Sequence, residues 1–304
     1  MANAYLNRKF DKMRAAEEAG QLKSKGGGRA LRKMLNNRLA VAGLIIFGII
    51  FFAAVFAPLL TQYDPGKIDL RARLQPPSWE HIFGTDATGR DIFARVIFGG
   101  RISILVGLGS ALMAAAVGVA IGAYTGYKGG WADMVALRIS EIVTSFPQII
   151  LVLMIVTILG QSLGNLILIF VLTGWGQTYR LVRARMLSVR EEEYVQALQS
   201  FGLGTFRVCY KHMLPNALGP VMVNVTLTTA AFILTEAGLS FLGLGVPSNI
   251  PTWGNILIAA NDLRVLQNNW WIWLPVGGVI SLFVLSVNFI GDGLRDSTDS
   301  SVQG

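Results

Sequence analysis

Residues 39–60 form a run of 22 residues without a single charge. As a helix the run is about 33 Å long, against a hydrocarbon thickness of about 30 Å. Such a segment commits a chain to the membrane. It does not read as a cleavable signal, because it starts late, runs long and ends without a small-residue cleavage site. Further apolar stretches occupy 102–124, 142–159, 163–175, 218–244 and 271–290. Together they predict an all-α polytopic protein of about six transmembrane helices, with a tight hairpin at 160–164. Only 14% of residues are charged, where a soluble domain carries about 25%.

Orientation follows from the basic residues of the connecting segments. With the amino terminus inside, 19 of the 26 Lys and Arg fall on the cytoplasmic side. The excess puts both termini in the cytoplasm. It also accounts for the net charge of +8 without nucleic acid. The long polar segment 177–215 then lies inside, between the fourth and fifth spans.

That segment contains EYVQALQSFGLGTFRVCYKHMLPN at 193–216. Tyr194, Ala197, Leu198 and Phe201 fall at i, i+3, i+4, i+7, one face of a helix. Gly202 and Gly204 break the helix, and Leu214-Pro215 closes its continuation. A short helix is marginal alone in water, so the stripe must bury against the spans or against another protein. Both readings stand at this point. Arg180, Arg183, Arg185 and Arg190, just upstream, suit lipid phosphates.

Outside the membrane lies GTDATGRD at 84–91, with Gly84, Thr85, Asp86, Gly89, Arg90 and Asp91. Thr85 or Asp86 is placed to cap a helix that carries Arg90 and Asp91 on its outer surface. Within the second span Gly118, Gly122, Gly126 and Gly130 recur every four residues, a ridge for close helix packing. Glu236, inside the fifth span, costs on the order of 2–4 kcal/mol in lipid and must face a wet path or a packed interior. Asn224 and Glu141 raise the same question. Trp253, Trp270, Trp271 and Trp273 read as interfacial anchors, or as part of an outer docking surface at 245–270.

No G-x-x-x-x-G-K-[ST] string occurs, and no nucleophile elbow or H-E-x-x-H. One cysteine, Cys209, and two separated histidines, His81 and His212, offer no ligand cluster for a metal. From its residues alone the chain reads as a polytopic membrane protein with a cytoplasmic docking loop, not an enzyme, with no cofactor of its own.

Gln196-Ala197-Leu198, Gly202 and Leu214-Pro215 are similar to the EAA loop of ATP-binding-cassette importer permeases, with Gln196 in place of the usual Glu and Leu198 in place of the second Ala. GTDATGRD with its continuation to Ser103, GGWADMVALRISEIVTSFPQ at 129–148, LTEAGLSFLGLGVPSNIPTWG at 234–254 and NFIGDGLRDSTD at 288–299 resemble the dipeptide, oligopeptide and nickel permease family. The likeness runs in order from about residue 30 and is strongest to the second, shorter permease of the pair. It implies a type I importer fold in a prokaryotic cytoplasmic membrane. It divides the chain into a basic tail (1–38), a first span (39–60), an outer loop (61–101), a five-helix core (102–293) with coupling loop 177–215, and a tail (294–304). It makes Glu192, Glu193, Tyr194, Ala197, Leu198, Phe201, Gly202, Gly204, Leu214 and Pro215 the ATPase-coupling residues. Glu236, Asn224 and Glu141 become candidates for the translocation path.

The partners implied are a homologous permease, two ATPase subunits that hold ATP and Mg, an extracytoplasmic solute-binding protein and membrane lipids. The cargo implied is a di- or oligopeptide, with nickel or another small solute as the alternative. The rival from another class is a proton-coupled secondary transporter with Glu236 as relay, which needs no ATPase.

Overall fold

The computed structural model describes residues 32–299. Most of the amino-terminal tail and the last residues of the carboxy-terminal tail, and so both termini, lie outside the described residues. The helices are α1 (Arg38–Val55), α2 (Ala57–Leu60), α3 (Ile92–Ile104), α4 (Ser110–Lys128), α5 (Gly130–Thr144), α6 (Gln148–Leu159), α7 (Leu163–Arg190), α8 (Glu193–Ser200), α9 (Pro215–Phe241), α10 (Trp253–Leu257), α11 (Leu263–Asn268) and α12 (Trp270–Asp299).

Four of these rods are long and apolar enough to cross a membrane: α1, the continuous Ile92–Lys128, α9 and α12. A fifth results if the bent pair α5 and α6, which meet at 90°, is one span. The expected six differ from this by α7. Its apolar first half does not stop at Trp175 but runs on through Gln177, Arg180, Arg183 and Arg185 to Arg190. The polar half lowers the mean hydropathy of the whole rod.

Caps and breaks explain the boundaries. Asn37 accepts from the N–H groups of Leu39 and Ala40 and starts α1. Pro58 lacks an N–H and its ring crowds the carbonyl four residues earlier, so α1 yields to α2. The carbonyls near this break do not go bare: the Arg101 guanidinium donates to Ala54 O and Val55 O, both at 2.6 Å. The second rod begins at Ile92, well before residue 102, because Asp91 accepts from Ala94 N at 2.6 Å. A π turn, Leu105–Gly109, joins α3 to α4. Gly129 and Gly130 both take left-handed φ (+66° and +73°), which lets the chain double back from α4 into α5.

The core has two main parts. One lies between α4, α7 and the 177–215 loop, the other between α3, α9, α10 and α12. The glycine ridge belongs to the first. A Cβ at Gly118 would lie 2.7 Å from Trp175 O, and one at Gly122 2.8 Å from Tyr179 O. The ridge is thus spent inside the chain, against α7, while the fourth glycine, Gly130, faces open space.

α5 is fastened to the same unit by charge. Arg183 Nε and Nη2 donate to the two carboxylate oxygens of Asp133, each at 2.6 Å, and the Tyr179 hydroxyl donates to Asp133 Oδ1 at 3.3 Å. Replacing Asp133 by Ala leaves a partly buried guanidinium without its carboxylate, so the destabilisation expected is about 1–3 kcal/mol. By contrast Arg138→Ala, which removes an exposed pair with Glu141, is expected to cost about 0.5 kcal/mol or less. Thermal unfolding of the two variants in detergent checks both values.

Candidate functional site

The 177–215 loop is built from α7 outward. Past Arg190 the chain turns, and α8 lies across the end of the bundle. Val195 is fully buried, and Leu198 and Leu203 pack beside it against the core. The turn after α8 is made at Gly202, φ +75°. A π segment, Arg207–Met213, follows and runs into α9 through Leu214 and Pro215. Burial and distance from solvent push the Cys209 thiol, which donates to Ala123 O at 3.1 Å, up to about 11.

The expected stripe therefore splits. Leu198 turns inward with Val195, a residue the i, i+3, i+4 count passed over. Tyr194, Ala197 and Phe201 remain outside, with Phe201 82% exposed. Phe206 joins them at 73%. Of the two readings, burial against this chain's own spans does not cover that face. Glu192 and Glu193 open α8 and are exposed, Gly204 is open, and Leu214 is partly buried against the core.

Several bonds tie α8 and its turn to the spans. Tyr194 Oη accepts from Asn216 Nδ2 at 3.1 Å, next to the start of α9. Gln199 Nε2 donates to Tyr127 Oη at 3.3 Å, and Tyr210 Oη to Ala120 O at 2.8 Å, both on α4. These bonds link α8 and the segment after it to both α4 and α9.

A cavity of about 420 Å³ lies where α5 breaks from α6. Pro147 cannot continue α5, and the bend opens a space bounded by α7 and α9. Its polar lining is uncharged: Thr144, Gln148, Thr173, Gln177, Asn224 and Thr228. Asn224 Oδ1 accepts from Thr178 at 2.8 Å, and Gln148 Nε2 has no acceptor among the described residues. Irregular backbone at membrane depth is tolerated where it lines such a space.

Of the three residues expected beside a path, only Asn224 lines this cavity. Glu141 is half-exposed and pairs with Arg138. Glu236 is 1% exposed; its Oε1 accepts from Ser240 Oγ at 2.8 Å and Thr252 Oγ1 at 3.0 Å. Thr252 caps α10, so Glu236 fastens the short inward-dipping α10 to α9. Gln148 and Gln177 were missed because amides in apolar runs carry no motif. The sharp break at Ser145-Phe146-Pro147 was the signal available.

The GTDATGRD motif is a tight knot rather than an exposed helix face. Asp91, and not Thr85 or Asp86, caps α3; Asp91 is buried and meets His81 Nδ1 at 2.8 Å. Asp86 Oδ1 accepts from Thr88 N, Thr88 Oγ1 and Arg90 N, and its Oδ2 from Arg90 Nε and Arg95 Nη1. Burial pushes its carboxyl up, but the hydrogen bonds from Thr88 and Arg90 and the two guanidinium charges outweigh it and hold Asp86 below the usual carboxylate range. Thr85 Oγ1 donates to Ala72 O and accepts from Gln75 N. Gly84 and Gly89 take left-handed φ, and a Cβ on Gly89 would collide with the Asp69 carbonyl. Among the described residues no group of three or more potential ligands could hold a metal ion.

Trp253 departs from the expected anchoring role. It is 1% exposed, and its Nε1 donates to Val96 O at 2.9 Å, because α10 dips into the bundle and carries the ring with it. Trp270 stays half-exposed at the start of α12, while Trp271 Nε1 donates to Thr85 O.

Residues 118–303 match the family described as binding-protein-dependent transport system inner membrane component, and residues 27–77 match the N-terminal TM domain of oligopeptide transport permease C. A Brucella suis protein named as a peptide permease is 43% identical over 271 residues, 89% of this chain and 90% of that one. The oligopeptide transport system permease protein OppC of Bacillus subtilis is 38% identical over 274 residues, 90% of this chain and 89% of its own. In fold the chain is similar to the inward-facing MetNI methionine ABC transporter structure, with TM-score 0.53 and 19% identity over 66% of this chain and 95% of that one.

Proposed function

Since this chain belongs to the binding-protein-dependent transport system inner membrane component family, as a permease of the OppC and DppC type, we propose that its cargo is a di- or oligopeptide. It is a multi-span component of the inner membrane and not the ATPase, so an ATPase and a binding protein are its partners. We further assign it a second, homologous permease and two ATPase chains. The observation that carries the mechanism is the apolar face Tyr194, Ala197, Phe201, left uncovered on a helix that is itself pinned to the bundle by Val195.

In this reading the 177–215 segment is the coupling loop. Its outer face sits in a groove of the ATPase, and closure of the ATPase pair moves α8. The bonds through Tyr127 and Asn216 pass that motion to α4 and α9. α4, α7 and α5 travel as one body, held by the glycine ridge and by Asp133–Arg183. The movement changes access to the space at the α5–α6 break, and the binding protein delivers cargo from the side of loop 61–101. No covalent step falls to this chain; it contributes a two-state conformational change driven from outside.

The cavity lining supports a peptide. Amides and hydroxyls of Gln148, Gln177, Asn224 and the threonines give and take hydrogen bonds, as a peptide backbone needs, while the absence of a charge among them leaves the side chains unread. Selectivity then rests with the binding protein.

Cysteine crosslinking tests the docking. With Cys209 changed to Ser, Ala197→Cys is expected to join a cysteine placed in the ATPase groove. No crosslink from any groove position, in an assembled complex, would sink the claim. Glu236→Gln separates the importer from a proton-coupled carrier: the amide keeps the size and the acceptor oxygen, so uptake is expected within about twofold of the parent. Loss of uptake with assembly intact, rescued by no change in ATP, would instead make Glu236 a proton relay.

A further inference from the structure

We propose that the outer end of α3 carries a binding site for a small oxyanion, a carboxylate or a phosphate group. A cavity of about 210 Å³ lies between the GTDATGRD knot, α10 and the start of α12. Its polar lining is Arg90, Arg95, Thr88, Ser248, Asn255 and Asp86, the carboxylate that both arginines already hold. Arg95 is 4% exposed, and its Nε–H has no acceptor among the described residues. Asp86 cannot supply one, because its two oxygens already take five hydrogen bonds.

The charge balance points the same way. Two guanidinium groups share one carboxylate, so the site keeps an excess positive charge in a largely buried setting. A buried cation with a free donor is matched by an anionic acceptor. Asp91 does not serve, since its oxygens are taken by Ala94 N and His81. Liquid water occupies about 30 Å³ per molecule, so the cavity holds an oxyanion with a few waters. The Ser248 and Thr88 hydroxyls and the Asn255 amide stand at its walls as neutral partners.

Two sources reach this depth. Ile272 lines the cavity one residue past Trp270 and Trp271, and tryptophans at a span end mark the headgroup level. The oxyanion therefore comes from the outer solution or from a lipid phosphate.

The test uses the full chain with its co-purifying subunits. In a nonionic maltoside detergent, calorimetric titration with sodium acetate and sodium phosphate, at ionic strength fixed with chloride, reads the free-anion source. In nanodiscs of phosphatidylcholine with added phosphatidylglycerol, native mass spectrometry reads retained anionic lipid. Arg95→Lys keeps a cation for Asp86 but loses the Nε–H. Ala259→Phe fills the cavity without replacing either arginine. Each is expected to weaken the observed binding about 10-fold or more. Saturable acetate or phosphate binding that both variants lose assigns the solution source; lipid retention that both lose assigns the headgroup. Should Arg95→Lys fail to fold, Ala259→Phe with an unchanged melting temperature decides alone. Linear, unsaturable titrations together with unselective lipid retention, or binding that survives Ala259→Phe, overturn the proposal.

Discussion

Uptake by a Phe201→Asp variant is expected to fall about 100-fold, while the protein still inserts and melts at the parent temperature. Phe201 is 82% exposed, so nothing in this chain is lost with the ring. Under the proposed docking, what is lost is its burial in the ATPase. A phenylalanine moved from water to a groove contributes about 1.5–3 kcal/mol, and an aspartate in that groove must be desolvated as well. Together these exceed the roughly 2.8 kcal/mol that a 100-fold change requires. The contrasting variant is Val195→Ala, whose side chain is fully buried. It loosens α8 from the bundle, and its cost of about 1–2 kcal/mol belongs to stability. Co-purification of the ATPase, unfolding and uptake, measured for both variants, separate docking from folding. Parent-level uptake by Phe201→Asp would remove the docking face from the mechanism.

The second large effect is expected at the ridge. A Gly118→Ala, Gly122→Ala double variant should lose about 2–6 kcal/mol, since overpacking costs about 1–3 kcal/mol at each site. The new methyl at 118 meets Trp175 O, Thr178 Cβ and Tyr179 N within 2.8 Å, and that at 122 meets Tyr179 O at 2.8 Å. Most of these atoms are backbone, which cannot turn aside as a side-chain tip does. Gly278→Ala is the control. It lies in α12 with nothing near its Cβ position, and helix propensity there favours alanine by up to about 1 kcal/mol. Equal melting temperatures for the double variant and the parent would mean that α4 and α7 are not held this closely in the membrane.

Much of this was legible in the sequence. Hydropathy alone located α1, α9 and α12, because a lipid-facing helix is written as one long apolar run, broken in α9 only by Glu236. The i, i+3, i+4, i+7 pattern found α8, and the spacing of the glycines found its packing ridge. What escaped was decided by partners far off in sequence. Arg101 reads as a surface charge until Pro58 breaks α1 beside it. Trp253 reads as an anchor until Glu236 and Thr252 hold α10 inside. Asp91 became the cap of α3 because His81 and the knot fix it there, ahead of the nearer-looking Thr85 and Asp86. Asn224 could be singled out as a polar residue in an apolar run, but its place in a cavity depends on the bend between α5 and α6, which no local signal encodes beyond Pro147.

That bend also bears on how the chain enters the membrane in the first place. α6 has 12 residues and a length of about 18 Å, too short to be held by a bilayer as a stop on its own. α5 carries Asp133, Arg138 and Glu141, and gives the insertion machinery no clean apolar segment either. α6 reaches α7 through the short turn Gly160-Gln161-Ser162, in which the Asn165 side chain donates to Leu159 O and Gly160 O. The unit that partitions into lipid is then a helical hairpin, α6 with the apolar half of α7, and α5 docks afterwards when Arg183 emerges to meet Asp133. A ribosome paused before residue 163 is expected to leave this part of the nascent chain outside the bilayer.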